Sequence, residues 1–215
     1  METAGLAVGI IGLAGLFGTC VECFNYIDTG RRYEDDSEIL IAKFHIQHVR
    51  LYLWGNLVGL TGTSDSENVS ILNQQELGVR LCLDGIKRVL TTSKDLIEKY
   101  GLVLTEPGDH SGRQEPPLST RADKLRSCLG ALLPEHKPSS NDTGVLERVK
   151  WVIHEKAKFI TLVEDLKDFI DGLHGVVPAI QQRHNRLVER GINSINDNEA
   201  LELVFEATGD EYPGT

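Results

Sequence analysis

The sequence predicts an all-α fold, a compact helical bundle of about seven to nine helices. Three observations point there. Apolar residues recur at helical spacing through most of the chain, and nowhere does strand-type alternation run to a useful length. Polar stretches rich in Gly, Pro, Ser and Asn separate the periodic segments, as in TGTSDSEN (61–68), TEPGDHSGRQEPPL (105–118) and PEHKPSSNDTG (134–144). The 215 residues are 40% hydrophobic, enough for one core.

The elements run in this order. Asp35, Asp36 and Ser37 offer caps for a helix beginning near Glu38, and Leu40, Ile41, Phe44, Val49, Leu53, Trp54 and Leu57 carry its period to about Leu60. A further helix is predicted from about Asn73 to Tyr100, with Val79, Leu83, Ile86, Leu90 and Ile97 as its stripe and Gly101 as its stop. Ser119 can cap a helix to about Leu133, and Asp142 or Thr143 can cap the next. Phe159, Leu162, Val163, Leu166, Phe169, Ile170 and Leu173 form the clearest apolar face, with Glu164, Asp165, Lys167 and Asp168 mostly opposite. Pro178 suits the first turn of a helix to about Arg190. Asn196 or Asp197 caps a short acidic one to about Ala207. The expected organisation is one domain over 1–207 and a disordered acidic tail over 208–215.

Charge narrows the function. Lys and Arg total 22 against 32 Asp and Glu, a net charge of -10. Nucleic acid is therefore not an expected partner, because affinity for phosphate backbones needs basic patches. Residues 1–30 carry Glu2, Glu22 and Asp28 without a base, and residues 191–215 carry six acids without a base. The middle is nearly neutral. The four Cys are too few for a disulfide scaffold and fit a reducing, cytoplasmic setting.

The N-terminus is the unusual part. Nineteen consecutive residues, Thr3 to Val21, are uncharged. Glu2 replaces the basic start of a secretory signal. A helix apolar on every face belongs either in a core or in a membrane. Nineteen residues span roughly 28 Å, close to the ~30 Å hydrocarbon layer. Leu6, Val8, Ile10, Ile11, Leu13, Leu16, Phe17 and Val21 are the membrane-insertion candidates, contributing roughly -2.5 to -5 kcal/mol. Carrying Glu22 or Asp28 to the bilayer centre costs about 3 kcal/mol each, so the balance is marginal. Gly5, Gly9, Gly12, Gly15 and Gly18 line mostly one side, a ridge suited to close helix packing, in a bundle or in lipid. Gly30, Arg31 and Arg32 are candidates for a hinge at the headgroup end of a segment spanning 1–30.

Other chemistry is sparse. Cys20 and Cys23 form one C-x-x-C without a second ligand pair, so buried thiols are expected and no metal is assigned. His45 and His48, at i, i+3, read as helix-surface residues. Asn68 and Asn141 begin glycan acceptor patterns that a cytosolic chain does not use. Neither a G-x-S-x-G nor a phosphate-binding loop occurs, no cofactor is expected, and the chain does not read as an enzyme.

The opening GLAVGIIGLAGLFGTCVECFNYIDTGRRYEDD resembles the start of the fungal HeLo domain, the effector half of heterokaryon-incompatibility proteins of the HET-S/HET-s type. The shared features are the Gly-rich apolar run, Cys20-Val21-acid-Cys23-Phe24, Tyr26 and Gly30-Arg31. A second similar block is Trp151 with KFITLVEDLKDFIDGLHGVVP, where Leu162-Val163, Phe169, Leu173 and Pro178 correspond. The resemblance implies a helical domain that, when a prion-forming amyloid segment or partner destabilises it, releases its N-terminus into membranes as a pore-forming cell-death effector. It implies residence in the cytoplasm at rest and at the plasma membrane when activated, with membrane lipid as partner. A homo-oligomer is expected, and a dimer at rest is compatible with it. Glu22 would then be the functional acid of the inserting segment, lining a polar oligomer interior. This chain lacks the polar repeats of the family's amyloid segment. The alternative is a non-toxic helical interaction or dimerisation module that regulates a prion-type partner.

Overall fold

The computed structural model describes residues 2–28, 35–62, 71–105, 120–133 and 150–209. Within α1 (Glu2–Cys23), residue surroundings are described at Gly9 and from Ile11 onward. The 143-region cap, Asn68, Asn141 and the tail from 210 lie outside the described residues.

Helix α2 (Asp35–Leu57) is the central post. Its predicted stripe is buried, and so are Ala42, Gln47, His48 and Leu51. The reason is crowding: α1, α5, α6, α7 and α8 all pack against it. Trp54, Phe44 and Leu51 are fully enclosed.

The predicted 73–100 helix is two helices, α3 (Glu76–Thr91) and α4 (Ser93–Glu98). Thr92 breaks them with an extended backbone, φ -77 and ψ 96. Val79, Leu83, Ile86 and Leu90 are buried as the period predicts, contributing about 1.5–3 kcal/mol each. The break rotates α4 out of phase with α3. Ile97 is therefore 46% exposed, and Leu96 and Tyr100 take its place in the core. Gly101 ends the segment with φ 65, a left-handed conformation that suits glycine.

Helix α5 (Arg121–Gly130) is capped by Thr120 rather than Ser119, through a reciprocal box with Asp123. Arg121 clamps three helices: it bonds Glu38 of α2 at 2.9 Å and Glu206 of α8 at 3.1 Å. Helix α6 (Lys156–Val176) buries the predicted face. Its Phe169 is only half-buried, yet the ring lies against Gly85 of α3 where no Cβ would fit. A 3-10 turn at Pro178–Ile180 leads into α7 (Gln181–Asn193), and Asp197 caps α8 (Asn198–Thr208).

One small sheet accompanies the helices. Strands β1 (Ile27–Asp28), β2 (Leu102–Thr105) and β3 (Lys150–Ile153) lie in the order β1-β3-β2. β1 runs parallel to β3, with Ile27 opposite Trp151, and β2 runs antiparallel to it. The sheet ties the chain just after α1 to the approach of α6.

Candidate functional site

Helix α1 rests on α3 and α2 by one face. Leu13, Phe17 and Cys20, at i, i+4 and i+7, are buried. The opposite face is open: Ile11 is 71% exposed, and Gly12, Gly15 and Gly18 are exposed. Leu16, Val21 and Glu22 lie between these extremes. Gly5, Leu6, Val8 and Ile10 belong to α1, but their surroundings lie outside the described residues, as do Gly30, Arg31 and Arg32.

The seat is specific. The Phe17 ring presses on the backbone of α2 at Gly55, where an added Cβ would overlap it. Cys20 donates its Sγ–H to the Leu83 carbonyl at 3.2 Å. Burial pushes the Cys20 thiol up to about 12 and Cys23 to about 11. Both therefore stay protonated at neutral pH, the wrong form for a metal ligand or nucleophile. The glycine ridge divides in this fold, with Gly9 and Gly12 facing Glu76 and Arg80 of α3. At Gly15 and Gly18 nothing lies within 4 Å of the place a Cβ would take, so they pack against no neighbouring element among the described residues. Gly9 instead makes room for the Glu76 carboxylate, 2.9 Å from where a Cβ would stand, and Glu76 bridges Arg80 at 2.9 Å.

Past α1, the chain turns through Phe24–Tyr26. Phe24 stacks flat on His48 of α2, with centroids 4.6 Å apart and planes 3° apart. His48 also forms a backbone hydrogen bond with Val21. His45 and His48 are thus not surface residues. Burial lowers His45 to about 3 and His48 to about 4, with Arg126 of α5 opposing their charge further. A second buried pair, His174 and His184, meets edge-on at 4.2 Å between α6 and α7.

A cleft of about 680 Å³ opens between α1, α2 and α5. Phe17, Val21, Tyr52, Leu129 and Leu133 give it apolar walls, and Glu22, His45, His48 and Arg126 add polar groups. Glu22 therefore lines a cleft instead of facing the core.

The sequence matches the family HeLo, described as prion-inhibition and propagation, over residues 5–204. The chain belongs to the HeLo family. It is 22% identical over 208 residues to the heterokaryon incompatibility proteins S and s of Podospora anserina, covering 97% of this chain and 70% of each relative. The solved N-terminal domain of HET-S superposes with a TM-score of 0.61 at 22% identity, covering 92% of this chain and 86% of that one. A double mutant of the HET-s N-terminal domain gives 0.58 at 23%, covering 92% and 91%. These likenesses establish the helical fold.

Taken over its described residues, no helix of this HeLo domain is long and apolar enough to cross a membrane. In α1 the described side chains cover only the second half of the uncharged run. The Phe17–Gly55 seat and the Phe24–His48 stack carry no sequence signal, because each joins positions remote in the chain.

Proposed function

We propose that this HeLo domain is a latent membrane-targeting effector of fungal heterokaryon incompatibility. It rests as a helical bundle and inserts its N-terminal segment, within residues 1–30, when a prion-type partner destabilises the resting contacts. The carrying observation is the one-sided seating of α1: a helix whose sequence is apolar all round buries one face and leaves Ile11 and the Gly15–Gly18 side in water. A helix committed to a protein core would have both faces covered.

The magnitudes fit a latent state. Burying Leu13, Phe17 and Cys20 holds α1 by roughly 5–8 kcal/mol. Bilayer insertion offers roughly 2.5–5 kcal/mol before any acid is carried in. The bundle leads by a few kcal/mol, a gap that binding of a partner can close. Release must also break the β1–β3 pairing at Ile27 and Asp28 if the segment runs to Gly30. Glu22 would enter lipid only where an oligomer shields it.

The test is dye release from vesicles at sub-denaturing urea. Ile11→Lys is the informative variant, because Ile11 is 71% exposed and lysine there leaves the resting fold unchanged. Leu13→Lys would instead unseat the helix, since Leu13 is fully buried. A mid-segment charge costs about 3 kcal/mol, so insertion should fall roughly 100-fold. Equal leakage from wild type and Ile11→Lys would overturn the insertion mechanism.

A further inference from the structure

The cleft under α1 has features that packing alone does not account for. The Nε2 atoms of His45 and His48 are buried without a hydrogen-bond partner among the described residues, and both histidines line it. His48 is only 6% exposed. Buried polar atoms left unpaired call for an occupant that pairs them. Arg126 is exposed at the same cleft and holds no ion pair among the described residues. The volume, about 680 Å³, falls within the range of small-molecule sites, and the walls pair apolar surface with a few convergent polar groups.

We propose that this cleft binds an amphiphile with an anionic oxygen head, a long-chain carboxylate or phosphate monoester. Its tail lies along Phe17, Val21, Leu129 and Leu133, and its head meets Arg126 and the two histidines. An arginine at the mouth selects a planar or tetrahedral oxyanion. The groups facing His48 are Glu22 from α1, Arg126 from α5, and His45 and Tyr52 from its own helix. With its other nitrogen engaged by the Val21 backbone, the free Nε2 of His48 pairs with the anionic head by taking a proton from water and donating it in a hydrogen bond to the head oxygen. An anion that neutralises Arg126 removes a charge opposing that protonation, so binding takes up a proton and tightens as pH falls from 7.5 toward 6.

The site has one wall on α1 and the others on α2 and α5. A bound molecule therefore bridges α1 to the bundle and holds it in place. This inference concerns the resting fold and does not depend on whether α1 enters membranes.

Decanoate, decyl phosphate and decanol, each below its micelle concentration, are titrated into the full chain by calorimetry and by thermal midpoint. Decanoate or decyl phosphate should bind and raise the midpoint, and which of the two binds more tightly identifies the head. Decanol should bind at least tenfold more weakly. Arg126→Gln should lose at least tenfold in affinity while keeping the wild-type circular dichroism. Gly130→Leu places bulk at the cleft lining from a position where an added Cβ meets nothing within 4 Å, and should block binding with the fold intact. Affinity equal across wild type, Arg126→Gln and Gly130→Leu, equal binding of decanol, or no binding by either anion would overturn the proposal.

Discussion

Replacing Gly55 with alanine sets two effects of opposite sign against each other. Gly55 lies inside helix α2, where alanine should raise helix stability by about 0.5–1 kcal/mol. The new Cβ, however, would overlap three atoms of the Phe17 ring, the farthest of them only 2.8 Å away. Carbon atoms in ordinary contact sit about 3.5–4.0 Å apart, so the ring must move. Phe17 is 3% exposed, so a ring pushed off Gly55 gives up buried contacts even where it shifts toward the cleft it lines. Overpacking of this kind costs about 1–3 kcal/mol. The net expectation is a loss of roughly 0.5–2 kcal/mol, with α1 the part displaced. Urea unfolding monitored by circular dichroism gives the sign, and hydrogen exchange along residues 11–23 locates the effect. A double-mutant cycle with Phe17→Leu should show coupling of at least about 1 kcal/mol. A Gly55→Ala protein as stable as wild type, or more stable, would refute the idea that α1 is held by this seat.

Acid should destabilise the domain strongly. His45 and His174 sit near 3 and His48 near 4, all lowered chiefly by burial, whereas the unfolded chain titrates near 6.5. The unfolded state thus binds more protons below pH 6.5, and stability falls as pH drops from about 6.5 toward 4, by about 2 kcal/mol per neutral ring at pH 5; a flat urea midpoint between pH 7 and 5 would contradict this. Thr120→Ala removes one half of the α5 capping box and should cost about 1 kcal/mol by thermal or urea unfolding. Arg121→Gln leaves Glu38 and Glu206 without their shared cation and should cost about 1–3 kcal/mol, with the Glu38→Gln double mutant recovering part of the loss.

Much of the helical skeleton is legible in one dimension. The α6 stripe from Phe159 to Leu173, the Asp197 cap and the Gly101 stop each rest on local spacing or a single residue's backbone preference, and each recurs in the structure. The small sheet was not legible, because strands of two and four residues are too short to show alternation. The exposure of Ile97 follows from a break that the apolar period hides: an extended Thr92 resets the helical phase, and the one local sign of it is the helix-start pattern Thr92-Ser93-Lys94-Asp95. His45 and His48 read as surface residues because their own helix carries polar neighbours, whereas α1 and α5 cover them from outside.

By itself, then, the amino-acid order determines that an uncharged, glycine-ridged segment opens the chain and must be hidden somewhere. Its apolar residues run all round, and its glycine ridge is not the face that Leu13, Phe17 and Cys20 bury. The choice of buried face belongs to the tertiary structure, where Gly55 admits the Phe17 ring, Leu83 accepts from Cys20, and no described element covers Gly15 and Gly18. The physical reason is that helix periodicity is a property of one segment, whereas a seat needs the shape of a second segment brought alongside it.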